Sequence, residues 1–507
     1  MLLEMHSHTS KHSTCSHIDP VSLVKEVARK GLQGIVITEH HYLWRQDEID
    51  ELRRSSEVNG DFLIMAGQEV ESDIGHVVVL GAGSSIPQGT KLRAIRRRFP
   101  DSAIIWAHPL RKNNLPAGRQ LLSPMLDAVE IFSVNHTTKE NCRGLALWHK
   151  HKFTAVSGSD VHFNNLAGIF PTHFEHPVAD IGSVINEIKH GRCRPFLKEI
   201  PKSGGNLSVT EVVIGTKGES EKRERIIIKN ASDEKQWRKM TKSLALAENL
   251  GKNGFNDGPY RVARIIDVSA AEKSIIEEGQ RGKSLFELIL TVSPEVGMSY
   301  VDRTAGWLAR LHRLGLRVTT LKDAKDRENR RFDSYAGAFA KTGSPYNDTA
   351  EDIVDFITAR ERKILSRESP KLFVQNHGDF HPKNVIIGQD RIHDISTLYV
   401  SVIDFDNTIL MPASFDVGYF TAQFRNQFLA YPDILKRYAG DYFLKCYAKH
   451  AGRLRKDFGP ETLLFELRAN LSIAAFLIKV GKGVGKEMDS LIARSVGIMK
   501  NLRKGGV

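Results

Sequence analysis

Only four cysteines, Cys15, Cys142, Cys193 and Cys446, are scattered through the 507 residues. They form no Cys-x-x-Cys clip and no disulfide framework, which excludes a cysteine-stapled secreted scaffold. A reducing cytoplasm fits best. Long apolar runs are also missing. None approaches the roughly 18–20 residues that span a bilayer, and the most apolar stretch, 463–480, is interrupted by Glu466 and Arg468. No membrane partner is expected. The N-terminus lacks a basic region followed by an apolar one, so no signal peptide is read. What the chain does have is length and positive charge. At 507 residues it exceeds one ordinary core, so two or three domains are expected. Hydrophobic residues at 41% and charged residues at 26% describe a soluble globular protein. The net charge of +12 suits anionic ligands such as phosphate esters, nucleotides or nucleic acid, and equally serves solubility.

Histidines crowd the start: His6, His8, His12 and His17 all follow the apolar residues Met1, Leu2 and Leu3. On a strand, His6 and His8 point the same way and form a metal-binding pair. A segment of helical periodicity begins at Pro20, with Gly31 placed as its C-cap. Short apolar strands then alternate with helices over about 200 residues. The strands end on or begin with polar residues: Glu39-His40-His41, Gly67-Gln68-Glu69, His76, His108-Pro109 and Asp160-Val161-His162. The alternation predicts a parallel α/β barrel or sheet. Ligand-type residues at strand ends stand where such barrels build active sites.

The series His-x-His, Thr-Glu-His, Gly-x-Glu, His-x-x-x-Leu-Gly, Ala-His-Pro and Gly-Ser-Asp-x-His resembles the polymerase and histidinol phosphatase (PHP) family over about residues 1–200. The resemblance implies a distorted (β/α)7 barrel that holds two or three divalent metals (Zn, Mn or Fe) and hydrolyses phosphate esters. It puts the metal ligands on His6, His8, His40, Glu69, His76, His108, Asp160 and His162, with Glu69 as the bridge and His108 and Asp160 as catalytically essential. The family usually offers one more ligand shortly after His-x-His. Here His12, Cys15 and His17 compete for that position, and counting back from His40 favours Cys15. Arg111, Lys112 and Arg119 are candidates for the substrate phosphate. The run Lys91, Arg93, Arg96, Arg97, Arg98 could follow a nucleic-acid backbone, although such runs more often form a solvated helix face.

Residues 200–206 have linker composition, and 201–207 is expected to separate two domains. Beyond it, 209–213 and 225–229 read as antiparallel strands, 240–250 as a helix and 274–278 as a strand. From Ser284 on the pattern is helical. The octapeptide His377-Gly378-Asp379-Phe380-His381-Pro382-Lys383-Asn384 precedes a strand, and Val402-Ile403-Asp404-Phe405-Asp406 follows. The Asp379-x4-Asn384 spacing equals that of a kinase catalytic loop, in which a carboxylate takes a hydroxyl proton while an amide oxygen reaches a metal.

This half resembles the aminoglycoside phosphotransferase and choline kinase family over about 208–507. The resemblance implies a bilobal protein-kinase-like α+β domain, with an N-lobe near 208–282 and a helical C-lobe near 283–507. It implies Asp379 as catalytic base, Asn384 and Asp404 as Mg ligands, Lys229 as the lysine on the ATP phosphates, and Asp416 in a structural role. The phosphate loop is expected around 213–221, with only Gly215 and Gly218. No helix glutamate stands in register with Lys229: Lys242 is near the expected place, with Glu234 and Glu248 outside it. The combined expectation is a cytoplasmic enzyme with two activities, a metal-dependent phosphoesterase and an ATP-dependent phosphotransferase acting on a hydroxyl of a small molecule. A nucleic-acid end-processing protein, or a hydrolase governed by a nucleotide-sensing pseudokinase, are the alternatives.

Overall fold

Nine strands build the sheet of the chain's first unit in the computed structural model. They are β1 (Leu2–Glu4), β2 (Gly34–Glu39), β3 (Leu63–Ser72), β4 (Gly75–Leu80), β5 (Ala103–Trp106), β6 (Ala128–Phe132), β7 (Ala155–Ser157), β8 (Thr172–Phe174) and β9 (Cys193–Pro195). Their order is β7-β6-β5-β4-β3-β2-β1-β8-β9, and β7 lies beside β9, so the sheet nearly closes on itself. All residues are described except 164–165, 203–207, 216–223, 368, 392–393, 439 and 505–507. The chain divides into two compact units, Met1–Ser203 with Val209–Ile228, and Gly204–Ser208 with Lys229–Val507.

The sheet is mixed, not all-parallel. β1, β2 and β3 run parallel, as do β5, β6 and β7, but β4 is antiparallel to both neighbours. The reason is local. Only Asp73 and Ile74 separate β3 from β4, and Gly75 takes φ +99° at the turn. A parallel connection needs a dozen or more residues, so the chain can only fold back as a hairpin. The helices form where periodicity places them. Asp19 caps Pro20–Arg29 through the amide of Ser22 at 2.9 Å, and Leu23, Val24 and Val27 are buried. β2 alternates between two apolar clusters: Ile35 and Ile37 pack with that helix, Val36 with Leu3, Met5 and Val78.

β10 (Leu197–Lys202) and β11 (Ser208–Ile214) pair antiparallel, from Leu197 opposite Ile214 to Lys202 opposite Val209. Pro201 and Lys202, expected to open a linker, are therefore strand residues. Residues 203–207 of that expected linker lie outside the described residues, as do 216–221 of the expected phosphate loop. The division into units also leaves 209–228 with the first unit, where the sequence reading puts them in the second.

β12 (Glu224–Asn230) begins in the first unit, carries Lys229 next to its last residue and leads into the helix Glu234–Leu250 of the second unit, capped by Asp233. β13 is Tyr260–Val262, and β14 (Ile265–Ser269) and β15 (Ser274–Glu278) form an antiparallel pair. β16 (Lys283–Ser284), β17 (Val374–Asn376), β18 (Val385–Gln389), β19 (Leu398–Val402) and β20 (Ile409–Met411) complete the strands. They pair as β13-β19-β18-β16 and as β17-β20. The remainder is helical and buries two apolar clusters, one around Trp307, Phe380 and Phe420, the other around Phe339, Phe415 and Leu467. This is an α+β arrangement. Among the described residues no helix is long and apolar enough to cross a membrane.

The helix Phe458–Lys479 carries a buried cation in its apolar face. Arg468 donates from Nε to Glu328 Oε2 at 2.7 Å, and both side chains are almost fully buried. Removing Arg468 takes away the shortest cation contact of the buried Glu328 and leaves it to Arg331 at 3.3 Å. Arg468→Leu is expected to lower stability by roughly 3–5 kcal/mol in denaturant unfolding of the second unit. A loss under about 1 kcal/mol, the range of an exposed pair, would show the pair to be solvated.

Candidate functional site

Glu69 sits on β3 where the strand ends of the first unit converge. Its Oε2 lies 3.4 Å from His6 Nε2, 3.2 Å from His8 Nε2 and 3.0 Å from His40 Nδ1. Its Oε1 lies 2.8 Å from His76 Nδ1 and 2.9 Å from His108 Nε2. Asp160 approaches from the far side, its Oδ1 at 3.3 Å from His8 Nε2 and its Oδ2 at 3.8 Å from His108 Nε2. His162 joins through Asp160 at 3.9 Å and packs on the ring of His8. All eight side chains named from the sequence are thus brought together.

Local structure explains the convergence. His6 and His8 follow β1, and Ser7 between them is held by Val36 O and Thr38 on β2. Glu4 accepts from the amides of His6, Ser159 and Gly168, binding the start of the chain to the Asp160 loop. His108 and Asp160 adopt φ +32° and +47°, a region costly for side chains that bear a Cβ. Such backbone strain concentrates at functional sites.

The donor set fits cations. Three overlapping groups, His6/His8/Glu69/Asp160, His40/Glu69/His76 and His8/His40/His162, each hold their ligand atoms within 4.8 Å of one another. Glu69 Oε2 is buried with three histidine nitrogens around it, yet none is angled to hydrogen-bond it. That is how ligands sharing an ion are disposed. Charge points the same way. Burial disfavours the charged imidazole of His6, but Glu130, Glu69 and Asp160 together raise its pKa well above the ordinary range. Burial likewise opposes protonation of His8, and Asp160 and Glu69 overcome it, raising His8 to about 9. Burial would raise Glu69 and Asp160; the histidines, His6 foremost, hold both well below the usual carboxylate range. Mixed imidazole and carboxylate donors suit Zn, Mn or Fe.

The contested ninth ligand is outside this cluster. Glu39 accepts from the amide and hydroxyl of Thr9 and from Ser13 Oγ at 2.5–3.3 Å. These bonds pull 9–16 into two tight turns, with Ser13 N on Thr9 O and Ser16 N on Ser13 O. Cys15 is left exposed and enters none of the donor groups. His12 pairs with Glu48 at 3.2 Å, and the exposed His17 touches Phe163 while its amide binds His162 O. Beside the Glu69 cluster, a cleft of about 350 Å³ is lined by Ile74, His76, Trp106, His108, Arg111 and Lys112. Arg119 does not line it. In the basic run, Arg96 is held by Asp127 and the carbonyls of Pro100, Ser102 and Met125, while Lys91, Arg93, Arg97 and Arg98 are exposed.

In the second unit the catalytic-loop octapeptide follows β17. Gly378 takes φ +84°, and a Cβ there would collide with Asn407 O, so glycine is required. Asp416 accepts the amides of His377 at 2.7 Å and Gly378 at 2.9 Å, which makes it a support under the loop. Asp379 is gripped at both oxygens: Tyr419 Oη donates to Oδ1 at 2.6 Å and Asn407 Nδ2 to Oδ2 at 3.3 Å. Asn384 donates to Asp379 O at 3.1 Å, which leaves its amide oxygen for a cation. Ile403 N bonds Asn384 O at 3.0 Å, so Asp404, at φ +67°, follows directly beside that loop. Burial and the adjacent Asp404 push the Asp406 carboxyl up. Lys229 Nζ meets Glu277 Oε1 on β15 at 2.8 Å. Burial opposes its charge, but Glu277, Asp404 and Asp406 hold it protonated. Its partner thus stands on a strand, not on the helix Glu234–Leu250, and Lys242 pairs instead with Asp323. Sequence reasoning missed Tyr419, Asn407 and Glu277.

Residues 219–452 match the sequence model of the phosphotransferase enzyme family. No curated protein matches the chain. Among solved structures, the chain is similar to an ethanolamine kinase of Plasmodium vivax at 13% identity and TM-score 0.39, covering 62% of this chain and 84% of that one. It is similar to a choline kinase of Cryptosporidium parvum at 14% identity and TM-score 0.40, over 61% and 90% of the two chains. A macrolide 2'-phosphotransferase of Brachybacterium faecium aligns at 14% identity and TM-score 0.33, over 59% and 91%. By sequence, then, residues 219–452 are similar to the phosphotransferase enzyme family.

The placement of Cys15 has a direct consequence. Cys15→Ser is expected to leave the metal content of the purified chain unchanged, while His8→Ala lowers it. Loss of an ion from the Cys15→Ser protein, measured by elemental analysis, would bring the thiol into the coordination sphere.

Proposed function

We propose that the chain joins two enzymes of opposite sense: a metal-dependent phosphoesterase of the PHP kind, and an ATP-dependent phosphotransferase that acts on a hydroxyl of a small molecule. The observation that carries the first half is the convergence of five histidines on one buried Glu69. His6, His8, Glu69 and Asp160 would hold one cation; His40, His76 and His108 would serve its neighbour across Glu69, and His162 the edge of the set. When bound, such ions supply charge neutralisation to a phosphate ester and a reactive nucleophile at neutral pH. The protein's own part is to fix the donors and present Arg111 and Lys112 to the ester in the adjoining cleft.

In the second half Asp379 accepts the proton of the acceptor hydroxyl. Tyr419 and Asn407 prevent its carboxylate from rotating. Lys229, held charged by Glu277, takes the nucleotide phosphates. Asn384 and Asp404 would bind Mg, which offsets phosphate charge when present. Little covalent help is needed for phosphoryl transfer, so positioning carries the rate.

Both halves are tested on one set of purified proteins. His108→Ala and Asp160→Ala should each lose most phosphate-ester hydrolysis, as should chelated wild type, while Mg-ATP binding persists. Asp379→Asn should bind Mg-ATP but turn it over about 10²–10⁴-fold more slowly, and Asp404→Ala should also bind it less well. Ester hydrolysis that survives chelation at full rate contradicts the first assignment. ATP turnover unchanged in Asp379→Asn contradicts the second.

A further inference from the structure

Glu130 belongs to none of the three donor groups, yet it touches two of the metal ligands. It lies in the middle of β6 and is 2% exposed. Its Oε1 is 3.1 Å from His6 Nδ1, and its Oε2 accepts the backbone N–H of His108 at 2.9 Å. With Nδ1 donating to the carboxylate, His6 presents Nε2 as a lone pair toward Glu69 and Asp160. His108 needs a different kind of help. Its φ of +32° is unfavourable, and the bond to its amide holds the residue there, with Nε2 on Glu69. The approach is possible because residue 158 is glycine. A Cβ on Gly158 would run into His6 Cβ and come within 2.6 Å of Glu130 Oε1.

We infer that Glu130 is a positioning residue of the metal centre: one carboxylate sets the tautomer of the His6 ring and locks the backbone of His108, and Gly158 supplies the space for it. The inference rests on the metal-centre reading above. Carboxylates behind metal-bound histidines fix ring orientation and raise ligand basicity, and their loss typically costs 10–100-fold in metal affinity.

The test uses the full chain, stripped with chelator and titrated with Mn²⁺ or Co²⁺. Glu130→Ala should raise the dissociation constant of the tightest ion by about 10–100-fold and change the visible spectrum of the cobalt form. Glu130→Gln should fall between the two, since its amide oxygen can still accept from His6 while its NH₂ faces the His108 amide. Gly158→Ala should weaken binding as well, without altering any donor. Mg-ATP binding by the second unit serves as the control for an intact chain. If Glu130→Ala fails that control, Glu130→Gln and Gly158→Ala decide the matter. A wild type that takes up no metal removes the metal-centre reading and this inference together. A wild type that loads, beside Glu130 and Gly158 variants that load equally with an unchanged cobalt spectrum, overturns the inference alone.

Discussion

The burial of one carboxylate among histidine rings is the constraint on which the first unit depends. Glu69 is 1% exposed, and so is His6. Left unpaired, such a charge would be strongly disfavoured away from water. The unit meets that cost by drawing positive charge inward, through imidazoles that become protonated or through cations that replace those protons. The mixed sheet serves this arrangement. The β3–β4 hairpin puts His76 opposite Glu71, two residues beyond Glu69, on adjacent strands. The parallel strands bring His40, His108 and Asp160 to the same end. Strain at His108 and Asp160 is sustained by a rigid surround of hydrogen bonds from Glu4, Glu130 and Asn135.

The second unit handles charge differently. Its carboxylates are not gathered among histidines but fixed one at a time. Tyr419 and Asn407 hold Asp379, and Asn407 is itself held by Arg331 Nη2 at 3.1 Å. Arg327 donates to the carbonyls of Asn407 and Thr408, and Arg331 pairs with the buried Glu328. The helix Leu321–Thr342 is thereby tied to the residue assigned as the base, so packing in the helical region and the aim of Asp379 are one mechanical problem. Glu277 on β15 pairs with Lys229 at 2.8 Å. A pair made between neighbouring strands does not wait on the movement of a helix.

The cluster around Glu69 was legible because residue type and strand ends coincide: a histidine or acid after an apolar run says where it will stand. The same logic singled out Asp379, Asn384 and Asp404, which the fold sets side by side. Three features were not legible, each for a physical reason. The path of 9–17 is set by Glu39 hydrogen bonds across the fold, so counting along the chain could not place Cys15. Glu130 reads as an ordinary strand residue until Gly158 is seen to admit it to His6. Pro201 and Lys202 have linker composition, but composition does not distinguish a domain boundary from the end of a β-hairpin strand; the pairing of β10 with β11 decides it. The all-parallel expectation failed where Gly75 allows a turn too short for a helix.

The claim that Glu69 is a bridge between cations can be tested by diffraction. Crystals of the zinc-loaded chain, measured at the zinc absorption edge, should show two or more separate anomalous peaks, two of them about 2.0–2.2 Å from a carboxylate oxygen of Glu69. His6, His8 and Asp160 should complete one coordination sphere, and His40 and His76 should contribute to its neighbour. Anomalous density that never touches Glu69, or none at all with the histidine contacts to Glu69 unchanged, would contradict the account.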